Sequence, residues 1–92
     1  MARKIVVTVI GKDQVGIVAK VATVLADAVV NIEDINQKIL GGDIFAMTML
    51  ADMARSPLKL PELTAALEKA LEGMGLKVMV QDAEVFRYMH RV

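Results

Sequence analysis

The spacing of hydrophobic and polar positions changes several times along the chain, and each change predicts an element. Ile5 to Ile10 is β-branched at every position, which predicts a strand. Ile5, Val7 and Val9 fall on one of its faces, and Val6 and Ile10 with Thr8 on the other, so both faces are expected to be buried. Gly11 to Gly16 predicts a loop. Beyond Val15 the period becomes helical. Val18, Val21, Ala22, Leu25 and Val29 recur at helix spacing, with Lys20, Thr23 and Asp27 off the stripe, which predicts an amphipathic helix to about Ala28.

Val30 to Leu40 predicts a second strand and Asp43 to about Met53 a third, joined through Gly41 and Gly42 as a two-residue hairpin with positive φ at both glycines. The second strand has a phase fault. Ile32 falls on the opposite face from Ile35 and Ile39, so a bulge or bend is expected near Glu33 and Asp34, of the kind edge strands carry. Arg55 to Pro57 predicts a turn, and Pro61 suits the first position of a second helix. Leu63, Leu67, Ala70, Leu71 and Met74 form its stripe, and Gly75 is placed to cap its end. Leu76 to Val80 alternates as a fourth strand. Asp82 is placed to cap a last helix from Ala83 to about Arg91, with Val85, Phe86 and Met89 on its apolar side.

The order β-α-β-β-α-β implies an α+β fold, a ferredoxin-like sandwich with a four-stranded antiparallel sheet and two helices on one face. One domain is expected over residues 1–92, with a core at about 3–81 and a helical tail at 82–92. The outer sheet face must carry either Phe45, Met47 and Met49 or their alternates Ile44, Ala46 and Leu50, so the tail or another subunit is expected to cover it. Composition adds to that expectation. Of 92 residues 55% are hydrophobic, more than a thin single core readily hides, which points to a homodimer or higher homo-oligomer. Only 3% are aromatic, so aliphatic residues and seven methionines must build the core. Met74 and Met79 read as core filling; Met47, Met49 and Met53 read as a subunit or tail contact.

Eleven basic and eleven acidic residues cancel, which argues against a nucleic-acid phosphate binder. An RNA-binding sheet is disfavoured too, because Phe45 is the only aromatic expected on it. With no cysteine there is no disulfide framework, thiolate metal site or cysteine nucleophile. The apolar run after the basic start is too short for a signal sequence or a membrane span, so a cytoplasmic protein without membrane contact is expected.

Candidate chemistry is sparse. G-K-D-Q-V-G has P-loop glycine spacing, but Ile17 and Val18 stand where the lysine and hydroxyl belong, which excludes nucleotide hydrolysis. Two compatible readings remain. The loop presents N–H groups at a helix start to a small anion, or Asp13 caps the helix while Gly16 permits close packing. Asn31 offers an amide at a strand start, for a ligand or for turn chemistry. Glu33, Asp34 and Asp43 lack metal-site spacing and read as a solvated edge. His90, near Arg87 and Arg91, reads as a balance to a helix dipole, not as a catalyst. No nucleophile–base pair and no cofactor motif is present, so no enzymatic activity and no cofactor are expected.

The strand I-V-V-T-V-I, the loop G-K-D-Q-V-G-I-V, the segment V-N-I-E-D-I-N-Q, the glycine-marked hairpin, the Leu-rich helix and the last strand together resemble an ACT domain over residues 3–81. With the tail F-R-Y-M-H-R-V the chain resembles the stand-alone single-domain ACT proteins, which are similar to the ACT portions of the glycine cleavage system transcriptional repressor. The resemblance implies a dimer, often joined through the second strands. It also implies an amino acid or similar ligand between subunits, held by Gly11, Asp13, Gln14, Val15 and Gly16 of one subunit with Asn31 and Ile32 of the other. Lys12 and Asp13 make this loop more charged than in several amino-acid-binding members. An effector protein would read the state of such a regulatory module. The alternative is a dimerisation module that needs no ligand.

Overall fold

The computed structural model describes residues 2–89. Expectations placed on His90, on Arg91 and on the Met89 side chain lie outside the described residues. The elements are β1 (Lys4–Lys12), α1 (Ile17–Asp27), β2 (Asn31–Leu40), β3 (Ile44–Asp52), α2 (Leu60–Ala70), β4 (Leu76–Asp82) and α3 (Ala83–Met89). The strands form one antiparallel sheet in the order β2-β3-β1-β4. This is the expected ferredoxin-like βαββαβ arrangement with a short C-terminal helix.

Period-two alternation divides the sheet's two faces. Ile5, Val7 and Val9 of β1, Phe45, Met47 and Met49 of β3, and Val78 and Val80 of β4 point to one side. There they meet Ile17, Val21 and Leu25 of α1 and Leu63 and Leu67 of α2 in a single core. Each of the larger of these side chains contributes about 1.5–3 kcal/mol by leaving water. The alternates Ile44, Ala46 and Leu50 therefore take the outer face. Met47, Met49 and Met53 are core residues and not subunit or tail contacts, while Met79, expected as core filling, is exposed on the outer face. Only the pairing register decides this, because both alternating sets of β3 are apolar.

The tail covers part of the outer face. Val6 and Ala83 are buried there, outside the main core, and Phe86 lies beside Leu50. Asp82 caps α3 as expected, its Oδ1 accepting the Glu84 N–H at 2.9 Å. Val85 departs from expectation: it is 52% exposed, on the side of α3 turned away from the sheet.

β2 is an edge strand, and its register shifts between Ile32 and Asp34. Glu33 is the extra residue. The bulge cures the phase fault, since Ile32, Ile35 and Ile39 now stand opposite Ala51, Met49 and Phe45, all inward-facing. The Glu33 carboxylate crosses to Lys4, whose Nζ lies 2.6 Å from Oε1, and Asp52 Oδ2 stands 3.6 Å from the same ammonium.

The remaining differences are in the turns. Leu40 pairs with Ile44, so the hairpin loop has three residues, Gly41 to Asp43, although both glycines have positive φ as expected. Pro61 is the second residue of α2, not the first, and the Glu62 carboxylate accepts the Lys59 N–H at 2.8 Å. α2 ends at Ala70, too early for Gly75 to cap it; Gly73 and Gly75 both turn left-handed before β4.

Val29 closes α1 in an unexpected way. Its N–H donates to Ala26 O at 3.0 Å and the Val30 N–H to Leu25 O at 2.8 Å, the crossed pair of a Schellman motif. That motif needs left-handed backbone at Val29, where φ is 59°, so its side chain leaves the helical stripe for solvent.

Candidate functional site

The Gly11–Gly16 segment crosses from β1 to α1. Gly11 still belongs to the strand, between Phe45 and Leu76. A Cβ on it would lie 2.5 Å from Gly75 O and 2.9 Å from Leu76 Cδ2. This is the close backbone approach in the segment. Gly16, expected to fill that role, has nothing within 4 Å of its Cβ position; glycine is needed there for its φ of 95°.

Asp13 does not cap α1. The N-cap is Gly16, and no side chain accepts from the first turn, which carries no acidic residue. The Asp13 backbone instead donates to Asp43 O at 2.8 Å and ties the loop to the β2–β3 hairpin. A left-handed residue at the helix start turns the preceding chain away from the first-turn amides, so Asp13 lies too early to cap them. Those amides and the positive end of the helix remain available to an anion.

The Gln14 amide nitrogen donates to Lys12 O at 2.9 Å and to Met74 O at 2.7 Å, stapling the loop to the turn before β4. Its oxygen is the remaining polar atom of that side chain. Val15 is 98% exposed at the loop tip, an apolar group left almost uncovered by the described residues.

Asn31 and Ile32 lie at the other end of the sheet. Asn31 is opposite Asp52 and Ile32 opposite Ala51, in the row that also contains Lys4. From that row to Lys12 is eight strand steps, roughly 25 Å at about 3.3 Å each. Within one chain, Gly11, Asp13, Gln14, Val15 and Gly16 come together, and Asn31 and Ile32 do not join them. Asn31 is exposed, and Ile32 packs partly against the core.

Four residues near Asn31, namely Asp52, Lys4, Arg55 and Val29, were given no site role from the sequence. Asp52 Oδ1 accepts the N–H groups of Arg3 and Ala54, each at 2.9 Å. The Arg3 hydrogen bond first, the Ala54 one next and the nearby Lys4 charge hold the Asp52 carboxyl below its ordinary pKa. Lys4 is held above its ordinary value, mainly by its hydrogen bond to Glu33. Arg55 and Val29 line a cavity beside Asn31 and Asp52. The one sequence signal was the Arg55–Pro57 turn, which says nothing of what it faces. Glu33 and Asp43 are at opposite ends of β2 and β3, and the described residues contain no cluster suited to a metal ion. Among those residues no helix is long and apolar enough to cross a membrane.

A family model described as ACT domain matches residues 3–81. A UPF0237 protein of Methanopyrus kandleri is 49% identical over 87 residues, covering 95% of this chain and 96% of the relative. Among solved structures, an ACT domain protein from Streptococcus pneumoniae superposes with a TM-score of 0.79 at 31% identity, covering 94% of this chain and 96% of that one. A structure described as a putative glycine cleavage system transcriptional repressor gives a TM-score of 0.61 at 25% identity, over 88% of this chain and 46% of its own.

Proposed function

The chain belongs to the ACT domain family, and from that premise we propose that it is a cytoplasmic, homodimeric regulatory module that binds an amino acid or similar small molecule between subunits. The observation that carries this reading is the separation of the two half-sites along an edge strand with one free side. Antiparallel pairing of two β2 edges about their middle sets Asn31 of one subunit beside Leu40 of the partner subunit. Leu40 adjoins the hairpin that holds Asp13. Two copies so paired unite what one chain keeps roughly 25 Å apart. Gly11, Asp13, Gln14, Val15 and Gly16 then face Asn31 and Ile32 across the interface, with anion-binding amides from the loop and a polar amide from Asn31.

A ligand bridging both subunits favours one dimer geometry, and an effector protein reads that geometry. The similarity to a putative transcriptional repressor supports a regulatory role over a catalytic one. A second reading is favoured by Ile35 and Ile39, 44% and 46% exposed on the edge strand: dimerisation or protein contact with no ligand.

A thermal-shift screen over amino acids, small carboxylates and purines separates the two. At about 100 times its dissociation constant a ligand adds about 2.7 kcal/mol, on the order of 10 °C for a domain this small. Asn31→Ala should leave the melting temperature unchanged without ligand and weaken binding by about 1–3 kcal/mol. A flat screen with an intact dimer selects the second reading.

A further inference from the structure

α3 covers one end of the outer sheet face and is apolar on two sides. Its inner side sets Ala83 and Phe86 against Val6 and Leu50. Its outer side carries Val85 and Tyr88, both exposed. Glu84 and Arg87, its two charged residues, pair with each other at 3.0 Å. A helix that is apolar all round is ordinarily buried. The chain's own sheet lies beneath α3, so it cannot bury the side turned away from it.

The other end of the same face is bare. Ile10, Ile44 and Met79 point out of it and are exposed. The register sets Ile10 between Ala46 and Lys77, with Lys38 beyond Ala46. One row nearer α3, Met79 stands beside Thr8, followed by Thr48 and Asn36. Neither row contains an acid. The face therefore has a ridge with an apolar crest at one end and an apolar shelf, closed by lysines at its sides, at the other.

Such a face is complementary to itself. α3 packs over β1 and β4. A two-fold axis parallel to the sheet and perpendicular to its strands keeps α3 over β1 and β4 of a facing copy but moves it to the opposite end, onto Ile10 and Met79. An axis along the strands would instead carry it over β2 and β3, onto Asp34, Asn36 and Thr48, which offer no apolar floor.

We propose that the outer face is a self-association surface, separate from the β2 edge, on which two copies stack sheet to sheet about the first of these axes. Val85 and Tyr88 of each copy cover Ile10 and Met79 of the other, so every contact is made twice. The acidic Glu84 comes over a row whose charges are the lysines Lys38 and Lys77, so charge favours the same seating. The inference does not rest on the regulatory reading. Together with β2 pairing it gives an assembly larger than a dimer.

The chain has no cysteine, so introduced thiols report the geometry cleanly. Ile10 lies four strand steps from Val6, roughly 13 Å at about 3.3 Å each, and Val85 is on the far side of α3. Within one chain the pair is beyond disulfide reach. Oxidised Ile10→Cys/Val85→Cys should run at twice the chain mass on a non-reducing gel, and mass spectrometry should find the segments carrying positions 10 and 85 joined. Ile10→Cys alone should remain unlinked. In light scattering at equal concentration Val85→Glu should halve the mass of the assembly, with the circular dichroism of the wild type. Absence of the 10–85 link in a folded chain, a link in Asn36→Cys/Val85→Cys in its place, or an unchanged mass in Val85→Glu overturns the inference. Ile39→Glu, on the β2 edge, should leave the 10–85 link intact; loss of that link would mean that the stacking depends on edge pairing, which refutes a separate surface.

Discussion

Gly11 and Gly16 bracket the same loop but are needed for different reasons, and alanine at each should reveal the difference. At Gly11 a methyl group would meet the Gly75 carbonyl oxygen at 2.5 Å and Leu76 Cα at 3.0 Å. Both are backbone atoms, one in the turn just before β4 and one at its start, so no rotamer change relieves the clash and β4 must move from β1. Forced overpacking of this kind costs about 1–3 kcal/mol. The unfavourable φ of 157° adds about 1 kcal/mol or more. At Gly16 the methyl group meets nothing within 4 Å, and only the left-handed backbone, worth about 1–2 kcal/mol, opposes it. Gly11→Ala should therefore cost about 3 kcal/mol and Gly16→Ala about half as much. For a domain this size that is a fall in melting temperature on the order of 15 °C against 5–10 °C. Urea unfolding at fixed protein concentration, so that assembly contributes equally to both variants, gives the free energies directly. If Gly11→Ala lies within 0.5 kcal/mol of wild type, or if Gly16→Ala is the more damaging, the close approach has been assigned to the wrong glycine.

Other substitutions test other parts of the fold. Asp13→Ala, which removes no cap, should change stability by less than about 0.5 kcal/mol in urea unfolding. Val29→Gly should raise the melting temperature by a few degrees, because relief of left-handed strain at a β-branched residue exceeds the added chain entropy of glycine. The depressed pKa of Asp52 gives stability that is present above the ordinary carboxylate range and lost as pH falls through the folded value; the raised pKa of Lys4 gives stability that is present below its ordinary value and lost as pH rises through the folded one. Asp52→Asn should flatten the acid limb of a pH–stability profile while leaving the alkaline Lys4–Glu33 contribution in place. Deleting residues 82–92 should expose Val6 and Leu50, lowering the melting temperature and increasing binding of a hydrophobic dye.

Much of the fold was legible because local pattern and tertiary placement agree. The bulge is the clearest case: three isoleucines out of phase can share the inward-facing side of the sheet only if one residue is inserted, and Glu33 is that residue. The order of elements and the Asp82 cap follow from equally local chemistry. The face taken by Met47 and Met49 was not legible, because β3 is apolar on both sides and only pairing with β1 and β4 breaks the tie. Asp13 misled for a related reason. Aspartate before a helix is a strong cap signal, but the signal does not say where the chain turns, and Gly16 turns it three residues later. Val29 fits the helical stripe in sequence, yet the left-handed turn required by the next strand removes it from the stripe. In the candidate site the loop glycines and Asn31 stood out by residue type. Asp52 and Arg55 did not, since an acid and a base near a turn carry no signature until the sheet register sets them beside Asn31.

That register also bears on the pairing of two copies that we propose. The sheet has two edges, and they are unequal. β4 follows a glycine-rich turn and runs into the α3 cap, whereas β2 offers ten residues and leaves Ile35 and Ile39 nearly half exposed beyond the reach of the helices. Glu33, Asp34 and Lys38 place charges along the same edge, a pattern that discourages indiscriminate strand addition but still permits one partner whose charges match. In an antiparallel pair about the centre of β2, the acidic beginning of one strand lies beside the Lys38 end of the other. In the dimer that we propose, this is also the orientation that would bring the Gly11–Gly16 loop of one copy towards Asn31 of the other. Apolar exposure would supply the drive for that pairing and charge order its register. In the proposed dimer the half-sites would meet as a consequence of both, so a ligand that bridged them would sense the pairing itself.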